Sequence, residues 1–140
     1  MKKTLADIRI ETASQAADLF FAALPKEQKE ERVFVLPLDG NGKVLAKPIL
    51  VSVGHEDGMA MIDAGVIFRE ALKAGAEEII VAHNHPSGDL SPSKADIAVT
   101  KELKDLGERL KVKLLDHLIL GNSSGCYESL AESLDELDDG

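Results

Sequence analysis

The stretch Glu78-Ile79-Ile80-Val81-Ala82-His83-Asn84-His85-Pro86-Ser87-Gly88-Asp89-Leu90-Ser91-Pro92-Ser93-Lys94-Ala95-Asp96 decides the architecture. Its first five residues form a short apolar run bounded by a polar segment, the pattern of a buried strand. The loop from His83 to about Ser93 leads past Pro92 into a helix that runs to about Arg109. His83 and His85 stand two apart where the strand ends, and residues i and i+2 of an extended chain point to the same side. The helix brings Asp96, one turn in, back toward the strand end. Two imidazoles and a carboxylate leave a fourth tetrahedral position for water, the makeup of a catalytic zinc site. A second reading stands beside this one. Ser93-x-x-Asp96 has the form of a capping box with Asp in the Glu position, and the histidines alone are compatible with a polar turn.

Working outward, Ala13, Ala16, Ala17, Phe20 and Leu24 recur at helical spacing. Thr12 with Gln15 supplies a capping box and Pro25 a stop, so a first helix is expected over about 12–24. Val33 to Leu38 reads as a strand, with Pro37 marking an edge or a bulge. Asp39-Gly40-Asn41-Gly42 is a hairpin turn, and the return strand is expected over about 43–53. Gly54 to Gly58 is a loop that includes His55. A second helix covers about 63–74 and stops at Gly75. Lys111 to Leu120 and Cys126 to Glu128 complete the strands. Interleaved helices and strands with at least one hairpin give an α/β fold, a mixed β-sheet sandwiched by helices. Cys126 reads as a small buried apolar residue.

The chain has 140 residues, of which 16 are basic and 25 acidic, for a net charge of −9. That length suits one domain, and 44% hydrophobic residues exclude disorder throughout. The negative charge makes direct binding to nucleic-acid phosphates unfavourable. One cysteine precludes an internal disulfide and a cysteine-rich zinc site, which suits a cytoplasmic location. Acidic and basic residues interrupt any leader-like start, and no run approaches the ~20 apolar residues of a membrane span. Glu132 to Gly140 holds five acids and no base, an acidic tail expected to fray.

His83-x-His85, seven residues, Ser93, two residues and Asp96 has the spacing of the JAMM (MPN-plus) zinc metalloprotease motif. The surrounding His-Asn-His-Pro-Ser-Gly-Asp resembles the RadC-like branch of that family, and Asp116-His117-Leu118-Ile119-Leu120-Gly121 is similar to its Asp-His-Ile-Ile-x-Gly strand. The resemblance runs from about Glu30 to Ser129. It implies the JAB1/MPN (cytidine deaminase-like) architecture and a division into residues 1–30 (helix and connector), 31–129 (RadC-like JAMM/MPN domain) and 130–140 (acidic tail). Family members of full length carry a helical domain ahead of this one, so the chain is expected to be a stand-alone or truncated form. The family also uses an upstream glutamate. The register of Glu31-Arg32-Val33-Phe34-Val35-Leu36-Pro37-Leu38-Asp39 makes Glu31 the candidate, with Glu30 its neighbour. One departure stands out. Asp63-Ala64-Gly65-Val66 replaces the His-Pro-Arg-Glu that opens the second helix in RadC-like proteins, and Gly54-His55 replaces Gly-Thr.

The resemblance implies a zinc metallopeptidase acting on peptide or isopeptide bonds of a peptide or protein substrate. His83, His85 and Asp96 are the metal ligands, Glu31 is the general base and Ser93 the oxyanion donor. His117 is a candidate for orienting a ligand, against the alternative of a satisfied histidine at the core boundary. Two other functions remain: a RadC-type DNA-repair or mobile-element accessory protein, and a non-catalytic interaction module. The sequence lacks the His-Glu-x-x-His pattern of other zinc peptidases, the cysteines of a nucleobase deaminase and a phosphate-binding loop.

Overall fold

The computed structural model describes residues 4–54 and 61–131. His55 and residues 132–140 of the acidic tail lie outside the described residues. Three α-helices, α1 (Ala13–Ala23), α2 (Ala64–Lys73) and α3 (Lys94–Leu110), accompany five strands. These are β1 (Arg32–Leu38), β2 (Ile49–Val53), β3 (Glu78–Asn84), β4 (Lys113–Leu120) and β5 (Tyr127–Ser129). The strands form one mixed sheet in the order β2-β1-β3-β4-β5. Only β3 and β4 run parallel, joined by α3 as a crossover; the other neighbours are antiparallel.

The period-2 alternation of the strands divides the core into two layers. On one face Val33 and Val35 of β1 and Ile79 and Val81 of β3 pack under α2 and α3, against Ile67, Phe68 and Leu103. On the other, Phe34, Leu36, Ile80 and Ala82 pack under α1, against Ala16, Ala17 and Phe20. The result is the expected sheet between helices. On β4 the pairing with β3 slips one residue between Ile79 and Ile80. That bulge lets Leu114 join the α2/α3 layer while Leu118 and Leu120 join the α1 layer.

The helix ends match the chemistry of their caps. Thr12 and Gln15 close the expected capping box on α1. The Asp63 carboxylate accepts from the Gly65 and Val66 N–H groups at the start of α2. Helix α2 ends before Gly75, whose φ of +76° is the left-handed conformation that glycine adopts without strain.

Three local expectations need correction. The return strand does not begin at Lys43. Lys43 and Val44 make isolated bridges to Arg9 and Leu38, and β2 starts only at Ile49. Pro37 does not mark an edge, since β1 lies between β2 and β3. It is tolerated because regular pairing with β2 ends at Val35, beyond which Pro37 takes part through its carbonyl, which accepts from the Leu45 N–H. Cys126 is exposed, not buried, because it sits in the turn that precedes β5.

At the α3–β4 junction the helix and the strand backbone approach closely. Helix α3 closes with Lys111 at φ +61°, and the Val112 N–H donates to the Gly107 carbonyl at 2.9 Å. A Cβ at Gly107 would collide with the Val112 carbonyl oxygen. Gly107→Ala is therefore expected to destabilise the fold by about 1–3 kcal/mol in urea denaturation, as overpacking against unyielding backbone does.

Candidate metal centre

The candidate site sits at the carboxyl end of β3, where α3 begins. Strand β3 extends two residues further than its apolar run suggests, so His83 and Asn84 belong to it. His83 follows Val81 on the α2/α3 face, and His85 continues that alternation. Asn84 follows Ala82 to the opposite face. Glu31, two residues before Val33, faces the same side as the histidines.

The polar atoms converge closely. His83 Nε2 and His85 Nε2 are 3.0 Å apart. Asp96 Oδ1 lies 3.3 Å from His83 Nε2, and Asp96 Oδ2 lies 3.6 Å from His85 Nε2. Three donors bound at about 2.0–2.1 Å around a tetrahedral ion sit about 3.3–3.4 Å apart, close to the distances at which each histidine nitrogen stands from its neighbour and from one Asp96 oxygen. Glu31 Oε1 is 3.8 Å from His85 Nε2. Ligand atoms of Glu31, His83 and His85 also fall within 4.8 Å of one another, a looser group than the one that includes Asp96. His83, His85, Asp96 and Glu31 thus converge at one end of the cleft.

Hydrogen bonds fix which nitrogen of each histidine carries a proton. His85 Nδ1 lies 2.7 Å from the Asp89 carbonyl, which can only accept, so Nδ1 donates, and in the neutral ring Nε2 carries the lone pair. The Thr100 hydroxyl donates its single proton to the Asp96 carbonyl at 2.6 Å, so at 2.6 Å it accepts from His117 Nδ1. His117 Nε2 then accepts from His83 Nδ1 at 2.8 Å, and His83 Nε2 also presents a lone pair to the site. Burial, reinforced by the charge of His83, pushes the His117 pKa well down and keeps this ring neutral. Two lone pairs 3.0 Å apart repel unless a proton or a metal ion lies between them. This donor chemistry suits a divalent ion.

Electrostatics agree. Burial works to raise the Asp96 pKa, but bonds to His83, His85 and the Ser93 N–H outweigh it and hold the carboxyl well below the usual range. The hydrogen bond to Asp96 raises the His85 pKa against the opposing effect of burial, with help from the Asp89 carbonyl and the charge on Glu31.

Ser93 and Asp96 form the capping box, and Asp96 also stands beside the two histidines. Ser93 Oγ accepts from the Asp96 N–H, and Asp96 Oδ2 accepts from the Ser93 N–H, each at 3.0 Å. The capping box aims the Asp96 carboxylate at the histidines. Because Ser93 Oγ accepts in this pair, its own proton remains to donate into the cleft that Ser93 lines.

Sequence reasoning missed two positioning residues. Thr100 is one; its i to i−4 spacing from Asp96 on α3 was the available signal. Asn84, fully buried, is the other. Its Oδ1 accepts from the Arg32 N–H at 2.7 Å, and its Nδ2 donates to the Glu30 carbonyl at 3.1 Å and to Gln28 Oε1 at 2.9 Å. Gln28 Nε2 in turn donates to the Gly121 carbonyl at 3.1 Å. The carboxamide thus extends the β1–β3 ladder by one rung and grips the backbone on either side of Glu31. His117 lies wholly buried between Thr100 and His83, bonded to both. Asp116 faces away from the site, with its carboxylate accepting from the Ser129 hydroxyl and the His117 and Ala131 N–H groups.

The comparisons with known proteins point the same way. A family model described as "RadC-like JAB domain" matches residues 10–135. The UPF0758 protein tlr1707 of Thermosynechococcus vestitus is 42% identical over 117 residues, covering 84% of this chain and 43% of the relative. A UPF0758 protein of Clostridium perfringens is 38% identical over 85% of this chain and 51% of its own length. Another, of Carboxydothermus hydrogenoformans, is 47% identical over 69% of this chain and 42% of its own. The chain spans about half the length of these relatives. Among the described residues, no helix is long and apolar enough to cross a membrane.

Thr100→Val removes the acceptor that sets the His117 tautomer, and is expected to weaken divalent-metal affinity ~10–100-fold in a chelator competition, with Thr100→Ser close to the parent. Metal uptake also displaces the proton favoured on His85. Affinity should therefore fall as pH drops into and below that residue's raised titration range, with protons released on binding.

Proposed function

The chain belongs to the RadC-like JAB domain family, and on that footing we propose that it is a zinc-dependent hydrolase of peptide or isopeptide bonds. The observation that carries this reading is the convergence of His83, His85 and both oxygens of Asp96, with contacts of 3.0, 3.3 and 3.6 Å, at the end of a strand that also lies beside Glu31. His83, His85 and Asp96 would hold the ion. When bound, zinc supplies Lewis acidity and a water acidified toward a pKa of ~7.

The protein's own residues do the rest. The Glu31 carboxylate accepts the proton of the attacking water and returns it to the leaving nitrogen. Its backbone is fixed through Asn84, so the carboxylate is held at the cleft and does not swing with the connector. The Ser93 hydroxyl donates to the oxyanion of the tetrahedral intermediate. Thr100 and His117 keep His83 in its ligating tautomer. In this reading residues 31–129 form the catalytic unit, flanked by the helix and connector (1–30) and the acidic tail (130–140). The substrate is a peptide or protein, and the compartment is the cytoplasm. A net charge of −9 gives a nucleic acid no general attraction.

The reading is tested with metal analysis and a peptide and isopeptide screen. About one zinc per chain is expected, lost in His83→Ala and in Asp96→Ala. Glu31→Gln should keep the metal and lose hydrolysis, and an unchanged rate would remove Glu31 from its role. Ser93→Ala should lower the rate ~10²–10³-fold while costing only about 1 kcal/mol of stability through the lost cap. Parent protein that takes up no zinc at neutral pH would overturn the proposal.

A further inference from the structure

The cleft has a second wall, opposite in character to its donors. Ile62, before α2, and Ala95 and Val99 of α3 line it, with Met61 at the rim. Ala95 and Val99 lie four apart and so on one helix face, and Asp96 is three before Val99. Ile62 and Val99 also pack onto the core layer beneath, which holds the wall in place. The cleft encloses about 370 Å³, enough for a side chain and the adjoining backbone. Among the described residues, no lysine or arginine lines it.

We infer that the site takes an internal stretch of polypeptide with an aliphatic side chain beside the bond to be cut, and not a chain end with its free carboxylate. This rests on the hydrolase reading and narrows its substrate. An aliphatic group against Ile62, Ala95 and Val99 leaves water at a gain proportional to its apolar area. In the metal-free cleft a free carboxylate meets the charges of Glu31 and Asp96, with no lysine or arginine among the described lining residues to balance it, and a buried charge without a partner is strongly disfavoured. Apolar contact and charge exclusion therefore select the same ligand.

The test titrates three probes into protein with labelled methyl groups, both zinc-loaded and metal-free. They are N-acetyl-Gly-Leu-Gly amide, N-acetyl-Gly-Gly-Gly amide, and the Gly-Leu-Gly peptide with a free carboxylate. The leucine amide should bind ~10-fold more tightly than the glycine amide, the discrimination a few methylenes give in an apolar pocket, and shift the Ile62 and Val99 methyl signals. The free acid should bind more weakly than the amide in the metal-free protein. Val99→Ser should remove most of the leucine preference. Ala95→Asp, at an exposed position in the first turn of α3 that tolerates an acid, should do the same without loss of fold. Equal affinity for the leucine and glycine amides, or tightest binding of the free acid in the metal-free protein, overturns the inference. Zinc content of the same samples is read separately. A leucine preference in protein that takes up no zinc would retain the wall and sink the hydrolase reading; zinc uptake without the preference would do the reverse.

Discussion

Strand β3 must do two things with alternate residues. Its odd positions carry apolar side chains into the α2/α3 layer and then, where the sheet ends, two imidazoles onto that face. Its even positions fill the α1 layer and then supply one carboxamide. Because side chains alternate with a period of two, this division cannot slip by a residue without sending the imidazoles under α1 and the carboxamide into the cleft. The flanking pairings hold it: β1 on one side through six matched residues and β4 on the other through seven. The site is in this sense a continuation of sheet register. The same hydrogen bonds that build the core place the donors within an ion's reach.

Much of this was legible in the residues. Strand, turn and helix around residues 78–96 follow from apolar periodicity, Pro92 and the capping box, and they bring His83, His85 and Asp96 together. Glu31 was legible only through resemblance, since a glutamate in a charged connector carries no local signal. What holds these groups was not legible. Thr100 meets His117 across 17 residues and Asn84 meets Arg32 across 52. Such contacts depend on how helix and sheet pack, and no short window of sequence contains both partners. Cys126 failed for a related reason. A cysteine is usually buried, but a turn between two strands leaves this one in solvent.

Capping the helix does not prevent Asp96 from facing the histidines, for a physical reason. A carboxylate has two oxygens and about four lone-pair directions. One oxygen closes the helix start while the other meets His83, and the first still lies within 3.6 Å of His85. The helix start therefore orients the carboxylate, and the carboxylate in turn neutralises the positive end of the helix.

The two histidines differ in what sets their protons. For His85 it is a main-chain carbonyl, that of Asp89, which every residue type possesses. For His83 it is a relay of two side chains, His117 and Thr100, each of which a single codon change removes. Mutational drift therefore reaches one ligand and bypasses the other. A descendant of this chain can keep every letter of His-x-His and Ser-x-x-Asp and still lose the proton arrangement at His83 through position 100 or 117, so its capacity for a metal is written partly outside its signature.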